Sequence, residues 1–214
     1  MSLKNMHTEI LSIEQNVLFP YIKRFQRSFY LVGGTAIALH LGHRRSIDFD
    51  LFTFSDLRKS RIKRTLLELP FKQVPIFEDY DQLHLFINEV KITFFSYPYK
   101  IEHPIRIDSV ITIPSLLSLA AMKAFALGRR SKWKDYVDLY FIIRDFYSIE
   151  EISVEASKIF TQQFSEKLFR EQLAFHKDID YSERVEYLVE PVSDEVIRSF
   201  LLDVATDILK KKID

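Results

Sequence analysis

Two aspartates two residues apart, Asp48 and Asp50, are the strongest candidates for chemistry in this sequence. The run from Ile47 to Phe52 alternates apolar and acidic residues with the period of a β-strand, so both carboxylates are predicted to project from one face. Asp is depleted in strands, and two like charges on one face repel unless a cation lies between them. We therefore predict that Asp48 and Asp50 hold Mg²⁺ or Mn²⁺, which can bridge nucleotide phosphates and activate an attacking hydroxyl.

A glycine pair precedes the aspartates. The chain has only 4 glycines, where average usage would give roughly 15, and Gly33, Gly34 and Gly42 fall within ten residues. Glycine lets the backbone come close to a ligand, and helix N-termini favour anions. Taken alone, the glycines are typical of a plain turn and the aspartates of a solvated strand. Together they predict a site for nucleotide phosphates beside a metal.

The elements that position these residues follow from hydrophobic period and turn residues. Helices are predicted over residues 8–25, with a kink at Pro20, over 35–41, and over 57–69, with a start at Ser55-Asp56. Strands are predicted over residues 29–32, 47–52, 74–77, 83–87 and 90–95. Asn88-Glu89 is a two-residue hairpin turn between the last two strands. These segments predict a mixed or antiparallel sheet of about five strands.

The sequence becomes helical after Pro114, which suits the first turn of a helix. Helices are predicted over residues 115–127, 132–146, 149–164, 166–175 and 194–211. The fold class is therefore α+β, a mixed sheet flanked by helices with a helical C-terminal layer. We expect a core over residues 1–112 and a helical region over 113–214 that completes the active-site cleft.

Composition excludes several function classes. Lys plus Arg equal Asp plus Glu at 30 each, so any site for a polyanion must be local. The absence of cysteine excludes disulfides and thiolate chemistry. The six histidines show no zinc-ligand spacing, and no stretch resembles a signal peptide or a membrane span. We expect a cytoplasmic protein without a membrane or DNA partner.

Two blocks of this sequence resemble the AbiEii/AbiGii abortive-infection toxin family of the nucleotidyltransferase superfamily. The blocks span residues 31 to 142, about half the chain. They are Gly33-Gly34-Thr35-Ala36 with His43-Arg44-x-Ser46-x-Asp48-x-Asp50-x-Phe52, and Lys123, Arg129-Arg130 and Lys134-Asp135-Tyr136-Val137-Asp138-Leu139. The resemblance implies a nucleotidyltransferase-like fold and a toxin that moves a nucleoside monophosphate from an NTP to a hydroxyl, with RNA, especially tRNA ends, as acceptor. It also implies a role in phage defence or a toxin–antitoxin system, with a cognate antitoxin encoded nearby.

The resemblance also implies roles for individual residues. Asp48 and Asp50 would be catalytic metal ligands, with Lys123 and Asp135 as further catalytic residues. Nucleotide-binding roles fall on Gly33, Gly34, Thr35, Arg44, Ser46, Arg129 and Arg130. Lys123 and the arginines would neutralise triphosphate charge, and Asp135 would orient a base, a water or the attacking hydroxyl. A surface ion-pair network is the alternative for these downstream residues, and Asp138 is interpreted as structural.

One departure from the superfamily concerns its third carboxylate, usually found on a later strand. The corresponding stretch here, residues 90–95, offers Lys91 and Thr93 but no acid. Either two aspartates suffice with the help of Asp135, or activity is weakened, which leaves open a non-catalytic relative that binds NTP. The drug-modifying relatives in the superfamily leave open a second alternative, a small-molecule acceptor such as an aminoglycoside. A basic run over residues 58–64 is either a solvated helix face or a contact for an RNA backbone.

Overall fold

The computed structural model describes residues 6–127 and 129–211. The chain divides into two compact units, Met1–Ser115 and Leu116–Asp214. The first unit carries the predicted metal-binding aspartates and the second carries the predicted downstream block.

A five-stranded mixed sheet organises the first unit, as predicted. Its strands are β1 (Tyr30–Val32), β2 (Phe49–Thr53), β3 (Gln73–Asp79), β4 (Gln82–Ile87) and β5 (Val90–Ser96), in the spatial order β1-β2-β5-β4-β3. Strands β2 and β5 pair in parallel, and the other neighbours pair antiparallel. This order puts the strand of Asp50 beside β5, and β3 at an edge.

Three helices accompany the sheet: α1 (Ile13–Ile22), α2 (Gly33–Leu41) and α3 (Lys59–Leu67). A capping box between Ser12 and Gln15 begins α1, because each side chain satisfies a backbone N–H at the helix start. Pro20 lies within α1, at the position of the predicted kink. The predicted extent of 8–25 was wrong, because Thr8–Ile10 and Lys23–Phe25 are separate 3-10 helices. Gly42 ends α2 in the left-handed conformation at φ +67°.

Helix α3 begins at Lys59 with Arg58 as its N-cap residue, two residues later than predicted. The prediction of a start at Ser55-Asp56 was wrong. Ser55 instead donates its backbone N–H to the Thr53 hydroxyl and accepts from Ser96, which ties it to the ends of β2 and β5. These contacts hold the backbone of Ser55 at the end of the sheet, so the helix begins only beyond it.

The β4–β5 hairpin turns at Asn88 and Glu89, which have φ of +50° and +65°, as expected for a two-residue turn that follows the sheet twist. A second hairpin, β6 (Ile105–Ile107) with β7 (Ile111–Ile113), was not predicted. Its strands have three residues each, too few for a period of two to be read from the sequence.

Aromatic rings fill the core behind β2 and β5. Phe94 lies 4.9 Å from Phe25 and 5.2 Å from Phe29, measured between ring centroids. Phe49 and Leu51 of β2 are completely buried. Such burial fixes the strand that carries Asp50, because a shift of one residue would exchange its two faces.

The second unit is helical, as predicted. It contains α4 (Leu116–Leu127), α5 (Trp133–Asp145), α6 (Ile149–Phe160), α7 (Glu166–Ala174) and α8 (Asp194–Lys211). Helices α4 and α6 meet through the stacked rings of Phe125 and Phe160, with centroids 3.9 Å apart. The fold class is therefore α+β. Within the described ranges, no helix is both long and apolar enough to span a membrane.

Candidate active site

Asp50 lies within strand β2 on the face opposite the core. Phe49, Leu51 and Thr53 are buried, whereas Asp50 and Phe52 are half-buried. The predicted alternation is therefore present over Phe49–Thr53. Asp48 and Ile47 precede the strand, because β1 pairs with β2 only as far as Val32 opposite Asp50. Strand β2 begins at Phe49, so the prediction that it begins at Ile47 was wrong.

The Asp50 carboxylate lies directly against the backbone of Gly33. A β-carbon added to Gly33 would come within 2.2 Å of Asp50 Oδ2, well inside contact distance. Gly33 also has φ +73°, a conformation that other residues adopt at a cost. Glycine is required here for two reasons, its backbone conformation and the space for the carboxylate.

Gly34 is approached from the other side by two polar side chains. A β-carbon on Gly34 would lie 2.8 Å from Arg44 Nη2 and 3.0 Å from Ser46 Oγ. Arg44 is 2% exposed, and its Nη1 donates to the backbone carbonyl of Arg45 at 2.8 Å. The first turn of α2 therefore gathers a guanidinium, a hydroxyl and the Asp50 carboxylate around two glycines.

Thr35 fixes the segment that carries Asp48. Its hydroxyl donates to the Asp48 carbonyl at 2.5 Å and lies 3.4 Å from the Ser46 carbonyl. Thr35 is 1% exposed, so its side chain acts on the protein backbone. Asp48 lies outside the strand, so the common orientation of its carboxylate with that of Asp50 stays a prediction.

A row of side chains crosses the sheet from Asp50. Asp50 stands opposite Thr93 of β5, and Thr93 stands opposite His84 of β4. Partial burial is the main reason that the pKa of His84 lies below its ordinary value; the Lys91 ammonium lowers it further, and the Asp50 carboxylate opposes both. Where the superfamily places an acid, this sheet thus presents a threonine and, one strand further, a histidine.

The donor set suits a Mg²⁺ ion completed by substrate. No group of three or more Asp, Glu or His side chains is positioned to hold a metal within residues 6–127 and 129–211. Mg²⁺ is usually bound through one or two carboxylates, with phosphates and waters filling its octahedron. Asp50 beside the glycine turn, with Asp48 two residues earlier, fits this pattern.

The second unit buries a lysine between two aspartates. Lys123 Nζ lies 2.7 Å from Asp135 Oδ1 and 2.9 Å from Asp138 Oδ2. All three side chains are at most 5% exposed. A buried charge needs such partners, because removing one leaves another uncompensated. The ion pair predicted as the alternative for these residues is present, and it is buried rather than superficial.

The two predicted arginines make different contacts. Arg130 Nε donates to Asp135 Oδ2 at 3.0 Å and extends the lysine network. Arg129 places its guanidinium 3.7 Å from the ring centroid of Phe125 and donates to the Phe125 carbonyl. Arg130 is thus part of the Lys123 network, whereas Arg129 packs on helix α4.

Two residues of interest received no functional role from the sequence. Asp138 was interpreted as structural, yet it binds Lys123 from one turn beyond Asp135; the three-residue spacing within one helix was the available signal. His84 was set aside with the scattered histidines. The alternation of β4 and its pairing with β5 could have placed it on the Asp50 face.

A family model and a relative at 32% identity both match most of this chain. The family model described as "Nucleotidyl transferase AbiEii toxin, Type IV TA system" matches residues 21–209. An uncharacterized protein of Aquifex aeolicus (strain VF5) is 32% identical over 175 residues, which cover 78% of this chain and 77% of that protein.

Two solved structures are similar in fold. MenT4, a nucleotidyltransferase toxin from Mycobacterium tuberculosis H37Rv, has a TM-score of 0.62 at 14% identity, covering 91% of this chain and 82% of its own. JHP933 from Helicobacter pylori has a TM-score of 0.54 at 15% identity, covering 98% and 94%. At these identities the structural likeness concerns the fold.

Proposed function

Because this chain belongs to the AbiEii family of nucleotidyl transferase toxins of type IV toxin–antitoxin systems, we propose that it transfers a nucleoside monophosphate from an NTP to an RNA hydroxyl. tRNA ends are the first acceptors to test. The observation that carries the proposal is the Asp50 carboxylate seated against Gly33. It joins a candidate metal ligand to a backbone that phosphates can approach.

The reaction forms one bond and breaks one. The acceptor oxygen bonds to the α-phosphorus of the NTP, the bond from that phosphorus to the bridging oxygen breaks, and pyrophosphate leaves with that oxygen. The hydroxyl proton passes to water or a nearby base. Mg²⁺ or Mn²⁺ held by Asp48 and Asp50 would supply charge neutralisation and a lower pKa for the attacking hydroxyl.

The residues around the glycine turn orient the triphosphate. Gly33 and Gly34 offer backbone N–H groups at the start of α2, where the helix dipole favours anions. Arg44 and Ser46 approach Gly34. The Ser46 hydroxyl is a donor suited to phosphate oxygens, whereas Arg44, which is 2% exposed, is proposed to serve nucleotide binding by holding the glycine turn in place. Thr35 serves the site indirectly by holding the Asp48 carbonyl.

Lys123 and Asp135 are proposed to serve the same reaction. Both oxygens of Asp135 accept hydrogen bonds, from Lys123 and Arg130, which makes Asp135 better suited to orient these cations than to take a proton. Asp138 shares Lys123 and joins the proposal as a positioning residue.

Thr93 motivates a second candidate function. It occupies the position opposite Asp50 where a third carboxylate would strengthen metal binding. A chain limited to two carboxylates would bind NTP with a metal and release it unchanged. Metal-dependent NTP binding without pyrophosphate release would favour this candidate.

The test incubates the protein with each labelled NTP, Mg²⁺ or Mn²⁺, and either total tRNA or a panel of small-molecule acceptors that includes aminoglycosides. Asp48→Asn and Asp50→Asn are the matched variants, because they keep size and remove the metal-binding charge. We expect label on RNA that both variants lose. Label on a small molecule would identify a small molecule rather than RNA as the acceptor. Transfer at wild-type rates in either variant would overturn the mechanism.

We propose a cytoplasmic location, because NTPs and tRNA are found together there. Family membership also makes a cognate antitoxin gene beside its own the expected partner, and a role in phage defence follows if that pair restricts infected cells. Growth arrest on expression, relieved by the neighbouring gene and absent in Asp50→Asn, would support this assignment.

A further inference from the structure

A cavity of about 580 Å³ opens at the C-terminal end of strand β2, within the first unit. Residues 23–29 form one wall, and residues 53–65, which lead from the strand into α3, form the other. Thr53 is the last residue of β2 and belongs to the face opposite Asp50. The cavity is therefore distinct from the glycine turn and its carboxylates.

The walls of this cavity are strongly basic. Five of its lining residues are cationic and one is acidic: Lys23, Arg24, Arg27, Arg58 and Arg61, against Asp56. Arg24 pairs with Glu68 at 2.5 Å. Within the described part of the chain, the other four cations make no ion pair and no side-chain hydrogen bond. Since the whole chain has a net charge of zero, this concentration of positive charge is local.

Helix α3 separates two basic stripes. Lys59 and Lys63, four residues apart, both lie near Glu78, at 3.4 Å and 2.7 Å. Arg58 and Arg61, three residues apart, line the cavity instead. The lysine stripe is thus paired with Glu78 of β3, whereas the arginine stripe faces the open cavity. Like charges at this spacing repel each other unless an anion lies between them.

The start of α3 adds to the positive potential. Its N-cap residue, Arg58, makes no side-chain cap hydrogen bond, and its first turn contains no acidic residue. The positive end of the helix dipole therefore coincides with the arginines rather than being compensated by a carboxylate. Arginine forks bind phosphate oxygens in pairs, which suits such a cavity to phosphodiester groups.

An exposed aromatic residue adjoins the cavity lining in the sequence. Phe54 follows Thr53 and precedes Ser55, both of which line the cavity, and its side chain is 59% exposed. A large apolar ring beside unpaired arginines is the usual combination for single-stranded nucleic acid, in which bases stack while phosphates meet cations. An inorganic phosphate would make no use of this ring.

We propose that this cavity binds the phosphate backbone of an RNA strand, with Arg58 and Arg61 as phosphate contacts and Phe54 as a stacking surface. The identification of that strand as the acceptor rests on the proposed function. The NTP is assigned elsewhere, because Asp50 lies on the other sheet face and three residues, about 10 Å along the strand, from Thr53.

The test measures binding of a fluorescently labelled 12-nucleotide RNA to the full chain by anisotropy, without NTP. Arg58→Ala/Arg61→Ala is compared with Lys59→Ala/Lys63→Ala, which removes the same charge from the paired stripe of the same helix. We expect the arginine variant to weaken binding at least tenfold. Its slope of log K against log salt should fall by about 1.4, two contacts at about 0.7 each. The lysine variant should bind within about threefold of wild type.

Two further measurements distinguish binding of an RNA backbone from binding of pyrophosphate or an NTP. Phe54→Ala should weaken RNA binding without changing the affinity for inorganic pyrophosphate, and an NTP should bind the arginine variant and the wild type equally. Equal RNA affinity of the arginine and lysine variants would overturn the proposal, as would loss of NTP binding in the arginine variant. Circular dichroism spectra matching wild type confirm that each variant is folded.

Failure of this inference and failure of the proposed reaction give different results. If RNA binding depends on Arg58 and Arg61 but no nucleotide is transferred to any acceptor, the proposed reaction is wrong and the cavity assignment is supported. If the arginine variant transfers a nucleotide to RNA with an unchanged KM for RNA, the cavity assignment is wrong and the proposed reaction is supported.

Discussion

The carboxylate of Asp50 rests on the α-carbon of Gly33, so closely that a methyl group there would lie 2.2 Å from Oδ2. We predict that Gly33→Ala abolishes nucleotide transfer and lowers the free energy of unfolding by about 1–2 kcal/mol, the cost of a left-handed residue with a side chain. Urea denaturation and the transfer assay measure the two effects separately.

Gly42→Ala is the control for that variant. Gly42 also has a positive φ, of +67°, and an added β-carbon would meet the His7 ring rather than a candidate metal ligand. We expect a similar loss of stability with transfer retained in the folded protein. Full activity of Gly33→Ala would show that the Asp50 carboxylate does not need its present position.

His84 should report on the charge of Asp50. The Asp50 carboxylate raises the pKa of His84 against the larger effects of burial and of Lys91. Asp50→Asn removes the negative charge that favours the imidazolium, so the pKa of His84 should fall further. NMR titration of the imidazole, assigned with His84→Gln, measures the shift.

Mg²⁺ should have the same effect on His84 as that substitution. A cation held by Asp50 cancels part of its charge, so wild-type His84 should titrate at lower pH with Mg²⁺ than without. In Asp50→Asn, Mg²⁺ should leave the pKa of His84 unchanged. Identical Mg²⁺ responses of both proteins would argue against metal binding by Asp50, independently of any activity.

Lys123 should contribute strongly to stability. Lys123→Met leaves Asp135 and Asp138 buried without their shared cation, and breaking a buried pair typically costs about 3–5 kcal/mol. Adding Asp138→Asn should restore part of that loss, because one fewer buried charge then lacks a partner. Urea denaturation of the single and double variants tests the coupling, and strictly additive effects would contradict it.

The catalytic role of Asp135 can be separated from its structural role. Asp135→Asn leaves Lys123 paired with Asp138, so the variant should fold. If Asp135 orients reacting groups, kcat should fall about tenfold, equivalent to about 1.4 kcal/mol, with KM for NTP nearly unchanged. Lys167→Ala is the control, since Lys167 lies in an exposed pair with Glu171, and it should change neither constant.

Local patterns in the sequence predicted the parts of the fold that local physics decides. The alternation around Asp50, the Asn88-Glu89 turn and the long helices of the second unit were recognisable because each depends on neighbouring residues. The β6–β7 hairpin was missed because its strands are too short to show a period. The late start of α3 was missed because the backbone carbonyl of Ser55 accepts a hydrogen bond from the Ser96 hydroxyl, forty-one positions away.

The candidate site was predictable in its residue types but not in its contacts. That Asp50 lies against Gly33, or that Lys123 sits between two aspartates, depends on packing between distant segments. The basic cavity was only partly predictable from the sequence. The run of cations over residues 58–64 was apparent in the sequence, but its division into a paired and an unpaired stripe depends on where Glu78 lies.

Strand β3 ends the sheet with an open edge, and three of its apolar side chains, Val74, Ile76 and Phe77, are 45–47% exposed. An edge of this kind is a template on which a second molecule can add a strand, the first step of aggregation. Pro75 removes one backbone donor from the strand, and its register shifts between Pro75 and Phe77. Pro75 and this register shift interrupt the ladder that another copy would need, and they therefore protect the apolar edge against strand addition.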